Sequence, residues 1–185
     1  FLSKKIESKP KRDIPNLILE WHPYIQERGI NEEIYKELEL GYVKQRSVVA
    51  GRIAFKIYDH VGKHIGYIGY KEEDGSWFFP RGFKRPLYNA FRVKDPKSVI
   101  MTVDPFDALR IASLGFKQVV SLLANSMTSE QEGQLKKFRY ILLFHPKPEN
   151  IVNRLYTNSF IKAPILNVPL REIPDHQLLK LIKPS

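Results

Sequence analysis

The chain has 185 residues, of which 43% are hydrophobic and 27% charged, enough for one folded domain or two small ones without disulfide or metal support. It contains no cysteine, which excludes a disulfide framework, a zinc ribbon and a cysteine nucleophile. Thirty Lys and Arg against twenty Asp and Glu leave a net charge of +10, and no apolar run reaches the length of a membrane span. We therefore expect a cytoplasmic protein with no membrane partner and an affinity for polyanions.

Two short segments hold most of the positive charge. Residues 1–12 carry five basic and one acidic residue, and residues 77–97 carry six basic and one acidic residue. The first segment is interpreted as a basic linker or arm. Such focused charge is typical of nucleic-acid binding, and its plain alternative is a solvated surface that keeps the protein in solution.

The predicted elements of residues 13–97 are two short helices followed by a meander. Leu17, Trp21 and Ile25 recur at helical spacing and predict a first helical segment, which Pro23 either kinks or divides into two short helices. Asn31 is placed to cap the next helix. Apolar residues then alternate with polar ones and predict antiparallel strands over residues 52–59 and 64–70 and from residue 77. We expect a small helical and antiparallel subdomain here.

The predicted elements of residues 98–185 alternate between strand and helix. The predicted strands are 98–103, 118–123, 140–144 and 163–168. The predicted helices are 105–114, 128–137, 149–158 and 175–182. Four successive βα units imply a parallel sheet with helices on both faces, so the fold class is α/β with an α+β N-terminal part.

Ligands of such a sheet bind at the carboxyl ends of its strands, and two acids follow the first strand. Asp104 and Asp107 have the hard oxygen ligands that Mg²⁺ prefers. The alternative is helix capping, because Asp104 occupies an N-cap position, Pro105 the first helical position, and Asp107 the first turn. Both interpretations stay open on these residues alone.

The loop after the third predicted strand offers different chemistry. Lys147 repels a metal ion but suits a phosphate, and His145 is either a general base or a loop residue. A further basic loop carries Arg81, Lys84 and Arg85 among three phenylalanines. Aromatic and basic residues together suit single-stranded nucleic acid, unless the rings pack inward and only the charges are exposed.

In order and spacing, these segments resemble the catalytic core of bacterial-type DNA primases, above all the variants of phages and mobile elements. The stretch 24–43 is similar to the family's opening Tyr-Leu-x-x-Arg-Gly-Ile and Leu-Gly-Tyr segments, and 51–70 to its glycine-containing hairpin. Residues from 98 onward resemble a TOPRIM domain, the Mg²⁺-dependent fold of primases and topoisomerases. The family's zinc-binding module, which precedes the core, has no counterpart in these residues.

The resemblance is weaker at the positions of the family's catalytic and metal-binding acids. The family's Val-Glu-Gly-x-x-Asp motif compares here with Val-Asp-Pro-Phe-Asp, so Asp104 replaces the glutamate and Asp107 stands for the aspartate at a spacing one residue shorter. His145 and Lys147 stand at the positions of the family's two metal-binding aspartates. Because metal-dependent phosphoryl transfer needs those acids to clamp the metal, the resemblance implies vestigial catalytic acids, no expected metal or other cofactor, and Mg²⁺ only if catalysis is retained.

The basic positions of the family are kept. Arg52 and Lys84 match positions that face template or nucleotide in the family, and Lys56 stands where the family has a proline. The expected nucleic-acid contacts therefore form a basic groove between the meander and the parallel sheet, made of Arg52, Lys56, Arg81, Lys84, Arg85 and Lys147.

Three functions follow as hypotheses. The first is a degenerate primase-like TOPRIM protein that binds single-stranded DNA or a primed template in replication or mobility of a mobile element. The second is an active primase whose altered metal site uses Asp104, Asp107 and Glu149. The third is a protein-interaction module for a replication or recombination partner, with an exposed apolar patch near Trp21 or Trp77.

Overall fold

The computed structural model describes residues 13–183, so the predicted basic arm 1–12 lies outside the described residues. Two four-stranded sheets form its framework. The strands are β1 Leu40–Tyr42, β2 Ile53–Tyr58, β3 His64–Lys71, β4 Ser76–Phe78, β5 Ser98–Thr102, β6 Val119–Ser121, β7 Tyr140–Leu143 and β8 Phe160–Lys162. The helices are α1 Pro23–Glu27, α2 Glu32–Glu37, α3 Pro105–Ser113, α4 Ser129–Leu135, α5 Glu149–Leu155 and α6 Asp175–Ile182, with 3₁₀ turns at Ala90–Arg92 and Leu170–Glu172. Within residues 13–183, no helix has the length and apolar character to cross a membrane.

The first sheet is the predicted antiparallel meander. Its strand order is β1-β2-β3-β4, and every pair is antiparallel. Strand β2 turns Ile53, Phe55 and Ile57 towards the main core, as their alternation predicted. The predicted capping of α2 is also confirmed, because the Asn31 side chain accepts a hydrogen bond from the Ile34 N–H at 2.9 Å.

The first predicted helix is wrong over most of its length, because only Pro23–Glu27 is helical. The chain before it is not helical, and Glu20 pairs with Tyr42 through two backbone hydrogen bonds as an extension of the first sheet. Pro23 disfavours helical backbone at the preceding residue, and His22 is extended. Helical spacing of apolar residues was therefore overridden by pairing with a distant strand.

A glycine makes that pairing sterically feasible. A Cβ on Gly41 would lie 2.6 Å from the backbone carbon of Leu19, closer than real carbon atoms approach. We expect Gly41→Ala to lower the free energy of unfolding by about 1–3 kcal/mol, since backbone must shift to relieve the overlap. Urea denaturation measures this, with Gly133→Ala as the control: it meets no atom within 4 Å and should be neutral or stabilising in its helix. Equal effects at the two positions would contradict the packing argument.

The second sheet is parallel with helices on both faces, as predicted. Its order is β6-β5-β7-β8, and all three pairs are parallel. One face packs on α3 and on Leu178 of α6. The other packs on Leu135 of α4 and on Ile151 and Leu155 of α5. The loops that follow β5, β6 and β7 therefore lie together at the edge of the sheet formed by the carboxyl ends of these strands.

The fourth predicted strand is wrong in position. Residues Phe160–Lys162 pair with β7, whereas 163–168 are irregular and Ile165 is 93% exposed. Pro164 has no N–H to contribute to a ladder. The apolar run that suggested a strand instead forms part of the loop that returns to α6.

The aromatic side chain of Phe106 connects the two sheets. Phe106 of α3 is fully buried and contacts aromatic rings of the N-terminal segment across the junction. Its partners, at ring-centroid distances of 4.9–5.8 Å, are Tyr24, Phe55, Tyr70 and Trp77. The segments 13–97 and 98–183 thus share one hydrophobic core, and the proposed boundary between them near residue 97 stays a prediction.

Candidate functional site at the carboxyl edge of the parallel sheet

The two acids after β5 are held by an arginine from the N-terminal part of the chain. Arg28 follows α1 and donates hydrogen bonds to Asp104 Oδ2 at 3.4 Å and Asp107 Oδ1 at 3.2 Å. Its guanidinium carbon lies 4.6 Å from the centre of the Phe106 ring, and its side chain is only 8% exposed. Asp104 also caps α3 by accepting the Phe106 N–H at 2.7 Å. Asp104 therefore caps α3, and the two carboxylates together compensate the charge of Arg28.

Burial and charge shift the pKa values of this cluster. Burial, together with the neighbouring charge of Asp104, raises the pKa of Asp107 to about 6, although Arg28 acts against the shift. Burial by itself would lower the pKa of Arg28, but the two carboxylates outweigh it and raise that pKa. Arg28 is therefore a permanent cation here, and Asp107 gains a proton more readily than an ordinary aspartate.

We expect Asp107→Asn to change the pH dependence of stability. The folded protein keeps Asp107 protonated up to about pH 6, while the unfolded chain releases that proton near the ordinary pKa of 3.8. Protonation of Asp107 therefore contributes fully to the free energy of unfolding below about pH 4, and this contribution is lost as the pH rises through about 6. Asn resembles the protonated acid, so its stability relative to wild type should rise by up to about 3 kcal/mol between pH 4 and pH 7.5. Urea denaturation at the two pH values measures this, and a pH-independent difference would contradict it.

His145 joins two loops of this edge. Its Nε2 lies 2.8 Å from the Asn125 carbonyl oxygen, and its Nδ1 accepts the Lys147 N–H at 2.9 Å. An imidazole that donates from Nε2 and accepts at Nδ1 is the neutral tautomer. Both ring nitrogens are therefore engaged by backbone, which favours the loop-residue interpretation of His145 over a general base.

Arg85 connects a third loop, residues 80–86, to the carboxyl edge of the parallel sheet. It donates to the Ser126 carbonyl oxygen at 3.1 Å, to Ser126 Oγ at 2.9 Å and to the Leu122 carbonyl oxygen at 3.4 Å. The loop 80–86 consequently lies along the loop 122–126, which His145 ties to the loop 144–148. We call the cations on these loops the basic edge: Arg81, Lys84, Arg85 and Lys147.

The charges of the basic edge are available to a ligand. Arg81, Lys84 and Lys147 are exposed, and none of the three forms an ion pair with another residue in the range 13–183. Arg85 is partly exposed and uses its donors on backbone and hydroxyl oxygens. Burial lowers its pKa, yet a guanidinium stays charged at neutral pH.

The other two expected cations lie elsewhere. Arg52, which precedes β2, and Lys56 of β2 lie on the face opposite Ile53 and Phe55, because side chains alternate along extended backbone. Both therefore point away from the parallel sheet. Arg52 donates to the Ser76 carbonyl oxygen at 3.2 Å. Lys56 forms an ion pair with Glu39 at 3.1 Å. The single groove expected from the sequence is therefore corrected to a smaller set of cations at the edge of the parallel sheet.

The aromatic residues near the basic loop pack mostly inward. Trp77, Phe79 and Phe83 are partly buried against the main core. Trp77 and Phe79 line a cleft of about 220 Å³ with Asp104, Pro105 and Asn125. The basic edge thus lies beside a cleft with aromatic walls. The rings of Trp77, Phe79 and Phe83 are too buried to form a fully exposed platform on which bases could stack.

Comparison with solved structures identifies the fold. The Aquifex aeolicus primase, in a structure of its zinc-binding and RNA polymerase domains, matches with a TM-score of 0.72 and 19% identity over 86% of this chain and 54% of that chain. The primase fragment of the bacteriophage T7 primase-helicase matches with a TM-score of 0.71 and 15% identity over 95% and 83%. A DnaG primase catalytic domain bound to ssDNA matches with a TM-score of 0.67 and 14% identity over 86% and 69%. The chain has a primase-like TOPRIM fold.

The likeness is structural, and its extent is partial. The chain spans about half the length of the Aquifex aeolicus structure. No family model matches the sequence, and no curated protein is similar to it at a significant level. The resemblance drawn from the sequence motifs is confirmed at the level of the fold.

The residues present do not fit the Mg²⁺ site of the TOPRIM fold. Two carboxylates, Asp104 and Asp107, lie together, and Arg28 already binds both. Glu149 begins α5 and is exposed. Within residues 13–183, no group of three or more acids or histidines is arranged to hold a metal ion. A divalent ion needs several oxygen ligands free of competing cations, and this acid pair does not provide them.

Sequence reasoning missed two residues of this site. Arg28 lies 76 positions from Asp104 in the chain, and nothing local marks it as the partner of a distant acid. Asn125 contributes its backbone oxygen, which no residue pattern reveals. The signal that could have found Arg28 is its place in the segment that resembles the family's Tyr-Leu-x-x-Arg-Gly-Ile motif.

Proposed function

We propose that this protein binds single-stranded DNA through the basic edge, without Mg²⁺-dependent primer synthesis, in replication or mobility of a mobile element. The proposal rests on two side-chain contacts at the carboxyl edge of the parallel sheet, which we call the clamps. Arg85 fastens one basic loop to Ser126, and His145 fastens the other to Asn125. The two clamps hold unpaired cations on neighbouring loops, which is the arrangement needed to follow a phosphate backbone.

The similar structures support a nucleic-acid partner. One of them is a DnaG primase catalytic domain bound to ssDNA. Another is the RNA polymerase domain of the Mycobacterium tuberculosis primase in complex with a double-stranded DNA oligomer with a 6-nucleotide overhang, at a TM-score of 0.66 and 10% identity. We infer the same class of ligand for this chain from the shared fold together with its own basic edge.

Fluorescence anisotropy with a labelled single-stranded oligonucleotide tests the proposal. Four phosphate contacts predict that log Kobs falls with log salt concentration with a slope of about −3. Because the acid pair is already compensated by Arg28, adding Mg²⁺ should not strengthen binding, and competition of Mg²⁺ for the phosphates should weaken it. A salt-independent affinity would contradict a phosphate interface.

The same samples distinguish the other two hypotheses. Primer synthesis that needs Mg²⁺ or Mn²⁺ and is lost in Asp104→Ala would show an active primase with an altered metal site. A chain that binds no oligonucleotide at low salt would instead favour the protein-interaction module. Either result would overturn the proposed function.

A further inference from the structure

An apolar groove lies at the end of the parallel sheet opposite the basic edge. It has a volume of about 640 Å³ and is lined in part by Ser98, Tyr140 and Phe160, the first residues of β5, β7 and β8. Ile100 and Leu142 also line it, on the same sheet face. One wall is the end of α6, with Leu181 and Ile182. The helices α3 and α6 thus leave part of this sheet face uncovered.

The groove exposes large aromatic side chains. Phe160 is 66% exposed and Tyr140 is 47% exposed. Their rings stack on each other at a centroid distance of 5.5 Å. Contiguous exposed apolar surface of this kind marks an interaction site more often than an isolated exposed residue does. Of the two tryptophans near which an exposed apolar patch was expected, Trp77 is partly buried against the core, whereas Trp21 is 38% exposed.

The rim of the groove is positively charged. Lys162 lines the groove, and no Asp or Glu does so among the described residues. Arg139 lies over the Tyr140 ring at 5.4 Å, and Lys183 lies over the Phe116 ring at 5.2 Å. None of these three cations forms an ion pair within residues 13–183, whereas Lys117, which also lines the groove, is paired with Glu33 and Glu37. A ligand that complements this surface is apolar at its centre and acidic at its flanks.

We propose that the groove binds an amphipathic, acidic helix of a partner protein. Helices normally cover the faces of sheets in α/β folds, and an apolar helix stripe laid in a groove is a common recognition mode. The chain's own segment 1–12 has five basic residues and one acidic residue, so it does not complement the rim. The aliphatic floor of Ile100, Leu142 and Leu181 suits side chains of a helix better than stacked bases.

A pair of designed peptides tests the proposal. Both have about 18 residues, or five helical turns, with the same leucine stripe, and their flanks are glutamate in one and lysine in the other. We expect the glutamate peptide to bind in fluorescence anisotropy and the lysine peptide to bind at least about tenfold more weakly. Methyl NMR should show shifts at Ile100, Leu142 and Leu181 on addition of the glutamate peptide.

A variant with a matched control places the peptide in the groove. Phe160→Ser should weaken binding of the glutamate peptide by about tenfold or more, because truncation of a central aromatic anchor has a large effect. Tyr156→Ser removes a ring of similar exposure outside the groove lining and should change nothing. Circular dichroism melts confirm that both variants are folded.

Four results would overturn the proposal. They are equal binding of the two peptides, no binding of the glutamate peptide, loss of single-stranded DNA binding in Phe160→Ser, and a wild-type dimer that Phe160→Ser converts into a monomer. The third would assign the groove to nucleic acid and the fourth to a second copy of the chain. Because the basic edge lies at the other end of the strands, failure of this proposal leaves the DNA-binding proposal standing, and the reverse also holds.

Discussion

Replacing Arg28 by Met is expected to lower the free energy of unfolding by about 3–5 kcal/mol at pH 7.5, since removing one partner of a buried ion cluster leaves uncompensated charge. Asp107, which is 15% exposed, and Asp104 would then repel each other without the guanidinium between them. The loss should shrink as the pH falls from 7.5 towards 5, because Asp107 takes up a proton in this range. Urea denaturation across this pH range measures both effects.

The controls separate the ion cluster from simple loss of packing. Asp107→Asn in the Arg28→Met background should recover part of the stability at pH 7.5, which a packing defect would not allow. Arg46→Met removes an exposed arginine and should cost less than about 0.5 kcal/mol. A loss in Arg28→Met that is the same at pH 5 and pH 7.5 would show that charge compensation is not the task of Arg28.

Reversing two charges of the basic edge should nearly abolish DNA binding. We expect Lys84→Glu combined with Lys147→Glu to weaken binding of a single-stranded oligonucleotide by about 100-fold at low salt, and to reduce the salt slope by about 1.5, since two phosphate contacts are lost. Both side chains are exposed, so the variant should fold normally. Anisotropy titrations at several salt concentrations measure affinity and slope together.

A second double variant controls for net charge. Lys94→Glu with Lys137→Glu changes the net charge by the same amount, but these exposed lysines precede β5 and β7 and therefore lie near the amino ends of the strands. This variant should keep the wild-type salt slope and most of the affinity. If the two double variants weaken binding equally, the chain attracts DNA through its overall charge and the basic edge has no special role.

Periodicity and turn chemistry were enough to predict most of the fold. Alternating apolar residues located β2 and β3, although the structure buries both faces of these strands at their centres. The Thr128 capping box located the start of α4, and the βα alternation implied the parallel sheet and its carboxyl edge. The motif resemblance added the TOPRIM identity of that sheet. All of these signals are local, or repeat at short intervals along the chain.

Such local signals could not predict contacts between segments that are distant in the chain. Residues 14–22 have helical spacing, yet Glu20 pairs with Tyr42, and the fourth strand is Phe160–Lys162 because those residues meet β7 in register. The acids after β5 were evident in the sequence, whereas their compensation by Arg28, the Lys56–Glu39 ion pair and the clamps at Asn125 and Ser126 arise only on folding. Residue types and spacing determined which groups are present, and tertiary packing decided which of them meet, because burial and charge compensation depend on neighbours that the chain brings together from far apart.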